Sequence, residues 1–174
     1  FKGLPESEEE KIDKIISHLK SASEKDWQSI KKVSLENVLL TIEKDLEDFG
    51  VTFDNWFLES SLLSADSKID AAVQQLSTNN LIDNRDGNIW FKSSDFGDYK
   101  DRVLIRADGR QTYFASDVAY HKDKLDRGFD EIINIWGSDH HGYIKRVKAS
   151  MEGLGYDKNK LSVKLVQFAN LNKN

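Results

Sequence analysis

One stretch limits the fold of this chain more than any other. Residues 101–143, DRVLIRADGRQTYFASDVAYHKDKLDRGFDEIINIWGSDHHGY, run in the order strand, Gly turn, strand, helix, apolar strand and then a polar cluster that opens a second helix. Extended to Gln167, the pattern predicts strands near 103–106, 111–114, 132–136 and 162–167, with helices near 116–127 and 139–153. Strands joined through helices imply parallel pairing and right-handed crossovers, hence an α/β fold with a twisted sheet. Ligands of such sheets bind beyond the carboxyl ends of the strands. Two polar groups converge on that edge.

The first is Tyr113 and Asp117, four residues apart, with Ser116 as the expected helix N-cap. A carboxylate in the first turn is stabilised by the helix dipole, stays ionised and can receive a cation. Guanidinium suits the pair, since its planar fork meets a carboxylate in two places and stacks on an aromatic ring. On these residues alone, an Asp capping its own helix beside a core Tyr is the simpler explanation. The second group is Gly137-Ser138-Asp139-His140-His141-Gly142, which follows Ile132, Ile133, Ile135 and Trp136. Gly at a strand end admits close approach by a ligand. Adjacent helical residues do not share a face, so Asp139, His140 and His141 point to contact with an organic ligand and not to a metal. His18 and His121 are expected on the surface.

The ordered set FDNWFLESSL (53–62), DRVLIRADGRQTYFASDVAYHKDKLDRGFD (101–130), INIWGSDHHGYIKRVKASMEGLGYD (133–157) and LVQFANL (165–171) closely resembles the catalytic domain of bacterial-type arginyl-tRNA synthetase. That resemblance implies the C-terminal half of a class I synthetase Rossmann-like parallel sheet, with an α-helical and β-hairpin insertion region. It divides the chain into residues 1–100, the helical and insertion part, and 101–174, the part with the substrate site. It also implies that Tyr113 and Asp117 hold the guanidinium of arginine, and that Gly137 and Asp139 face the ribose of ATP. His140, standing where the family often has Gln, would contact the carboxylate of the amino acid. The implied activity is that of arginine–tRNA ligase, which joins arginine to AMP and then to the 3′ end of its tRNA. Its implied partners are arginine, ATP with Mg2+, and tRNA, in a cytoplasmic, monomeric parent enzyme. No side chain of this chain acts as a nucleophile in that scheme, which fits a sequence without a Ser-His-Asp or Cys-His arrangement. Neither a HIGH-type nor a KMSKS-type phosphate motif occurs in the sequence. The expectation is therefore an internal piece of a longer synthetase, inactive alone. The alternative is a non-catalytic ligand-binding or regulatory module of synthetase ancestry.

Composition bears on partners and compartment. Cysteine is absent, which excludes disulfides and Cys–zinc sites and fits a reducing compartment. No apolar run reaches membrane-span length. The net charge is −5, but residues 1–100 hold 12 Lys and Arg against 20 Asp and Glu, while 101–174 hold 13 against 10. Anionic partners are thus better tolerated by the second part.

Before residue 101, Ser7-Glu8-Glu9-Glu10 reads as a capping box, followed by Ile12, Ile15, Ile16 and Leu19 at helical spacing. A short helix is expected around Trp27 and Ile30, and a separate one from Ser34 through Leu46, stopped by Gly50. Phe53 to Phe57 is too aromatic for an exposed loop and is expected to be buried, ending at Glu59 and Ser60. A further helix carries Ile69, Ala72, Val73 and Leu76, with Asn79-Asn80 at its end. Asp86-Gly87 then signals a hairpin between residues 81–83 and 88–91.

Overall fold

The computed structural model describes residues 8–21, 24–63, 67–167 and 169. Ser7 of the capping box, the side chains of Ile12, His18 and Leu19, and Phe168, Asn170 and Leu171 of the last motif lie outside the described residues. The chain forms two compact units, one up to Trp56 and one from Phe57 onward.

The first unit holds helix α1 (Glu8–Lys20) and helix α2 (Glu24–Asp48). The two helices expected around Trp27 and from Ser34 are one, because no Gly or Pro lies between residues 24 and 48 to break the run. Gly50 ends it as expected. At φ +83° its N–H donates to Glu47 O and the Val51 N–H to Leu46 O, both at 2.8 Å, the Schellman arrangement that satisfies terminal carbonyls. Phe53 and Trp56 pack edge-on to each other at 5.4 Å but stay exposed, at 56% and 38%. The expected burial of the aromatic run fails for these two and holds in part only for Phe57. Among the described residues no helix is long and apolar enough to cross a membrane.

The second unit carries the α/β part. Helix α3 (Lys68–Thr78) is capped by Ser67, whose hydroxyl accepts from the Asp70 N–H, and ends at Asn79 and Asn80, the latter at φ +58°. Strands β1 (Ile82–Arg85) and β2 (Asn88–Phe91) form the predicted hairpin, with positive φ at both Asp86 and Gly87. This is the turn whose twist suits the flanking strands. Strand β3 (Arg102–Ile105) pairs antiparallel with β2. The expectation that it joins the parallel sheet is corrected, and the expected division at residues 100 and 101 falls inside this three-stranded sheet. A buried ion pair braces it: Arg102 reaches both carboxylate oxygens of Asp98 at 2.6 and 2.8 Å.

No strand forms at 111–114; Gln111 makes only an isolated bridge to Ile105. Thr112 explains why. Its hydroxyl donates to Val103 O and accepts the Ala115 N–H, so helix α4 (Tyr113–Asp126) begins there and not at Ser116. Strand β4 (Ile132–Gly137), a 3-10 turn at Ser138–Tyr143, helix α5 (Ile144–Gly153) and strand β5 (Leu161–Val166) follow. Strands β4 and β5 pair in parallel from Ile132 and Leu161 to Gly137 and Val166, a βαβ unit of an α/β fold. The buried stripe of α4, Phe114, Ala115, Val118 and Ala119, packs with Leu76, Phe91 and Leu104. Leu125 joins Ile132, Val147, Met151 and Leu161 in a second cluster. Both ends of α4 are thereby fixed, which places its polar face at the carboxyl end of β4.

Candidate functional site

Tyr113 and Asp117 lie one turn apart on α4 and share a face. Tyr113 is 86% exposed, whereas Asp117 is half-buried. They form a ridge between two hollows. One, of about 390 Å³, is lined by Tyr113, Asp117, Trp136, His140 and Tyr143. The other, of about 400 Å³, lies between the same pair and Phe57, Glu59 and Tyr120. An aromatic frame holds both in shape. Phe57 stacks on Tyr120 at 4.4 Å, and Trp136 meets Tyr143 edge-on at 6.1 Å.

The electrostatics differ from the sequence expectation. Because α4 starts at Tyr113, Asp117 lies beyond the first turn and its ionisation gains no first-turn stabilisation from the dipole. Burial pushes its carboxyl above the ordinary value and the nearby Glu59 adds to this, against the Tyr143 hydroxyl, Lys124 and His140. Among the described residues Asp117 has no ion-pair partner. A half-buried carboxylate beside a second carboxylate is a site that a cation would relieve. Burial, and then Asp117, hold the Tyr143 hydroxyl in its neutral donor form.

The strand-end group is arranged around Gly137. A Cβ there would meet Asp139 Oδ1 at 2.5 Å, so only glycine lets the Asp139 side chain fold back over the end of β4. Asp139 Oδ2 lies 3.6 Å from His140 Nε2, and both side chains are exposed. The His140 ring meets Trp136 at 6.5 Å. His141 turns elsewhere, with Nδ1 3.3 Å from Ser138 O. Among the described residues no three His, Cys, Asp or Glu side chains are grouped to hold a metal ion.

Of the five residues singled out by sequence, Tyr113, Asp117 and His140 thus border one hollow, while Gly137 and Asp139 stand at the adjoining strand end and do not line it. Glu59, Tyr143 and Trp136 were not singled out for this site. Glu59 closes the aromatic run that begins at Phe53, and an acid so placed was the available signal. His121, expected on the surface, is 2% exposed. It points inward because α4 buries the stripe that contains it.

The profile of the family described as tRNA synthetases class I (R), catalytic domain, matches residues 5–173. The arginine–tRNA ligase of Acinetobacter baylyi is 50% identical over 168 residues, covering 97% of this chain and 28% of the relative. That of Psychrobacter cryohalolentis is 48% identical over 168 residues, covering 97% and 27%. A crystal structure from Campylobacter jejuni assigned as an arginyl-tRNA synthetase superposes with a TM-score of 0.78 at 43% identity, over 84% of this chain and 32% of that one. The Thermus thermophilus arginyl-tRNA synthetase, 16% identical, superposes at 0.53 over 57% and 24%, a likeness of fold. The chain spans about 28% of the length of the curated relatives it matches.

Proposed function

This chain belongs to the family of class I arginyl-tRNA synthetase catalytic domains, and on that premise we propose that it supplies the arginine-recognition side of an arginine–tRNA ligase site. The observation that carries this is Asp117, a half-buried carboxylate without an ion-pair partner among the described residues, set between two hollows. The guanidinium of arginine pairs with Asp117 through two N–H donors and lies against the Tyr113 ring, with Glu59 adding negative potential from the second hollow. The rest of the amino acid extends through the hollow bordered by Trp136 and Tyr143, towards His140. There the imidazole meets its carboxylate, and Gly137 and Asp139 receive the ribose of ATP.

In this scheme the arginine carboxylate oxygen forms a bond to the α-phosphorus of ATP as the bond to pyrophosphate breaks. The arginyl group then passes to the terminal ribose of tRNA, and AMP leaves. The chain's own residues bind and orient; they donate no nucleophile. Among the described residues no three His, Cys, Asp or Glu side chains build a protein-only cation site, so a Mg2+ ion accompanying ATP would be held chiefly by the phosphates and water.

Replacing Asp117 with Asn keeps the shape and removes the charge. Arginine affinity should fall by about 2–5 kcal/mol, the usual loss for one partner of a buried charge-assisted pair, with ATP binding nearly unchanged. Isothermal titration with each ligand checks this. Equal arginine affinity in Asp117→Asn would remove the assignment.

A further inference from the structure

A second polar device lies behind the site, on the face of α4 turned towards β4. Asp117, His121 and Lys124 follow at intervals of four and three residues, so they share one side of the helix. Opposite stands Asn134, 7% exposed on the buried face of β4 between Ile132 and Trp136. His121 Nδ1 is 2.7 Å from the Asp117 main-chain oxygen. Asn134 Nδ2 is 2.7 Å from His121 Nε2, and Lys124 Nζ is 3.1 Å from Asn134 Oδ1.

The directions of these bonds are forced. A carbonyl only accepts, so Nδ1 carries the hydrogen; Lys124 only donates, so Asn134 turns its oxygen to Lys124 and its NH2 to the imidazole. His121 Nε2 must then be the unprotonated acceptor. The bonds form one chain of donors, Lys124 to Asn134 to His121 to the Asp117 carbonyl, and each strengthens the next. An imidazolium would set an N–H against the Asn134 NH2. Burial pulls the His121 pKa down to about 4 against the bond to Asp117, and Lys124, the charged group facing the ring, disfavours a second charge. Lys124 also lies 4.2 Å above the Tyr120 ring, which borders the hollow beside Asp117.

We propose that His121 is a positioning residue: held between Asn134 and the main chain of Asp117, it fixes the rotation of α4 against β4 and so sets where the Asp117 carboxylate stands relative to the strand end at Gly137–His140. The consequence for arginine rests on the proposed function above; the effect on Asp117 does not.

The test uses the full chain with Asn134→Leu, which keeps the volume and removes the donor, and Asn134→Asp, which restores the bond by accepting from a protonated His121. Nitrogen NMR of the wild type should show a neutral Nδ1–H imidazole that stays neutral down to about pH 4. The carbon signal of the Asp117 carboxyl should move in Asn134→Leu and return towards its wild-type position in Asn134→Asp. Arginine affinity should fall about tenfold in the Leu variant and recover in the Asp variant. An Nε2–H tautomer, or an Asp117 signal unmoved in Asn134→Leu, overturns the proposal. Should Asn134→Leu not fold, the tautomer and the Asp117 signal of Asn134→Asp decide it. A wild type that binds no arginine counts against the function proposed above, while the Asp117 signal still decides the role of His121.

Discussion

At the scale of single residues, the arginine-binding role proposed for Asp117 has a pH signature set by its environment. The folded-state pKa of Asp117 is raised, by burial first and then by Glu59. A cation binds the ionised form, so arginine affinity should be full above that raised pKa and lost as pH falls through it, at a higher pH than an ordinary carboxylate would give. Glu59→Gln removes a like charge; it should lower the pH at which affinity is lost while weakening arginine binding at neutral pH. Calorimetric titrations across pH on both proteins check this, and a Gln variant whose profile does not move would show that Glu59 does not act on Asp117. The pair Tyr113 and Asp117 was singled out by the resemblance and not by the spacing. The sequence put Tyr113 at a strand end and Asp117 in a helix starting at Ser116, whereas both lie on one face of α4. Neither Glu59 nor His121 was legible in the sequence. An acid ending an aromatic run looks like the edge of a core strand, and a His in a helix full of Lys and Asp looks solvent-facing until β4 is known to bring Asn134 against it.

Elements carried the next level of information unevenly. The hairpin at Asp86-Gly87, the end of α2 at Gly50 and the order β4, helix, β5 followed from local chemistry alone, though the helix expected over 139–153 opens as a 3-10 turn at Ser138–Tyr143 and becomes α5 only at Ile144. The start of α4 did not, because Thr112 and Ser116 are both good caps and only the Val103 carbonyl, supplied by β3, selects Thr112. Likewise β3 has the apolar run of a buried parallel strand, yet it completes the hairpin sheet; pairing partners are a tertiary property that no single segment displays. Gly153 tests how tightly these elements pack. A Cβ there would come within 2.8 and 2.9 Å of the Phe91 ring and 3.2 Å of Leu76, and Phe91 is fully buried. Gly153→Ala should therefore destabilise the protein by about 1–3 kcal/mol through overpacking, outweighing a gain below ~1 kcal/mol in helix propensity. Chemical denaturation measures it, and an unchanged or raised midpoint would mean that the α5–β2 contact yields easily.

For the molecule as a whole, the α/β class and the family were readable from the order of motifs, because several segments had to agree at once. The boundary between compact units was not, since the hairpin and β3 lie on opposite sides of the composition change near residue 100 yet form one sheet. The described second unit has two buried apolar clusters and two formed hollows, whereas the sequence carries no HIGH-type or KMSKS-type phosphate motif. The chain should melt cooperatively by circular dichroism and show only background arginine-dependent pyrophosphate exchange. Exchange clearly above background would mean that the phosphate chemistry needs neither motif. The central claim, that Asp117 and its neighbours recognise a guanidinium by charge, is tested most directly by titrating the protein with arginine and with citrulline, its neutral near-isostere. Arginine should bind with amide shifts centred on Glu59, Tyr113, Asp117 and His140, and citrulline should bind weaker by roughly two orders of magnitude or more. Equal affinity for the two, or shifts that leave those residues unmoved, would contradict it.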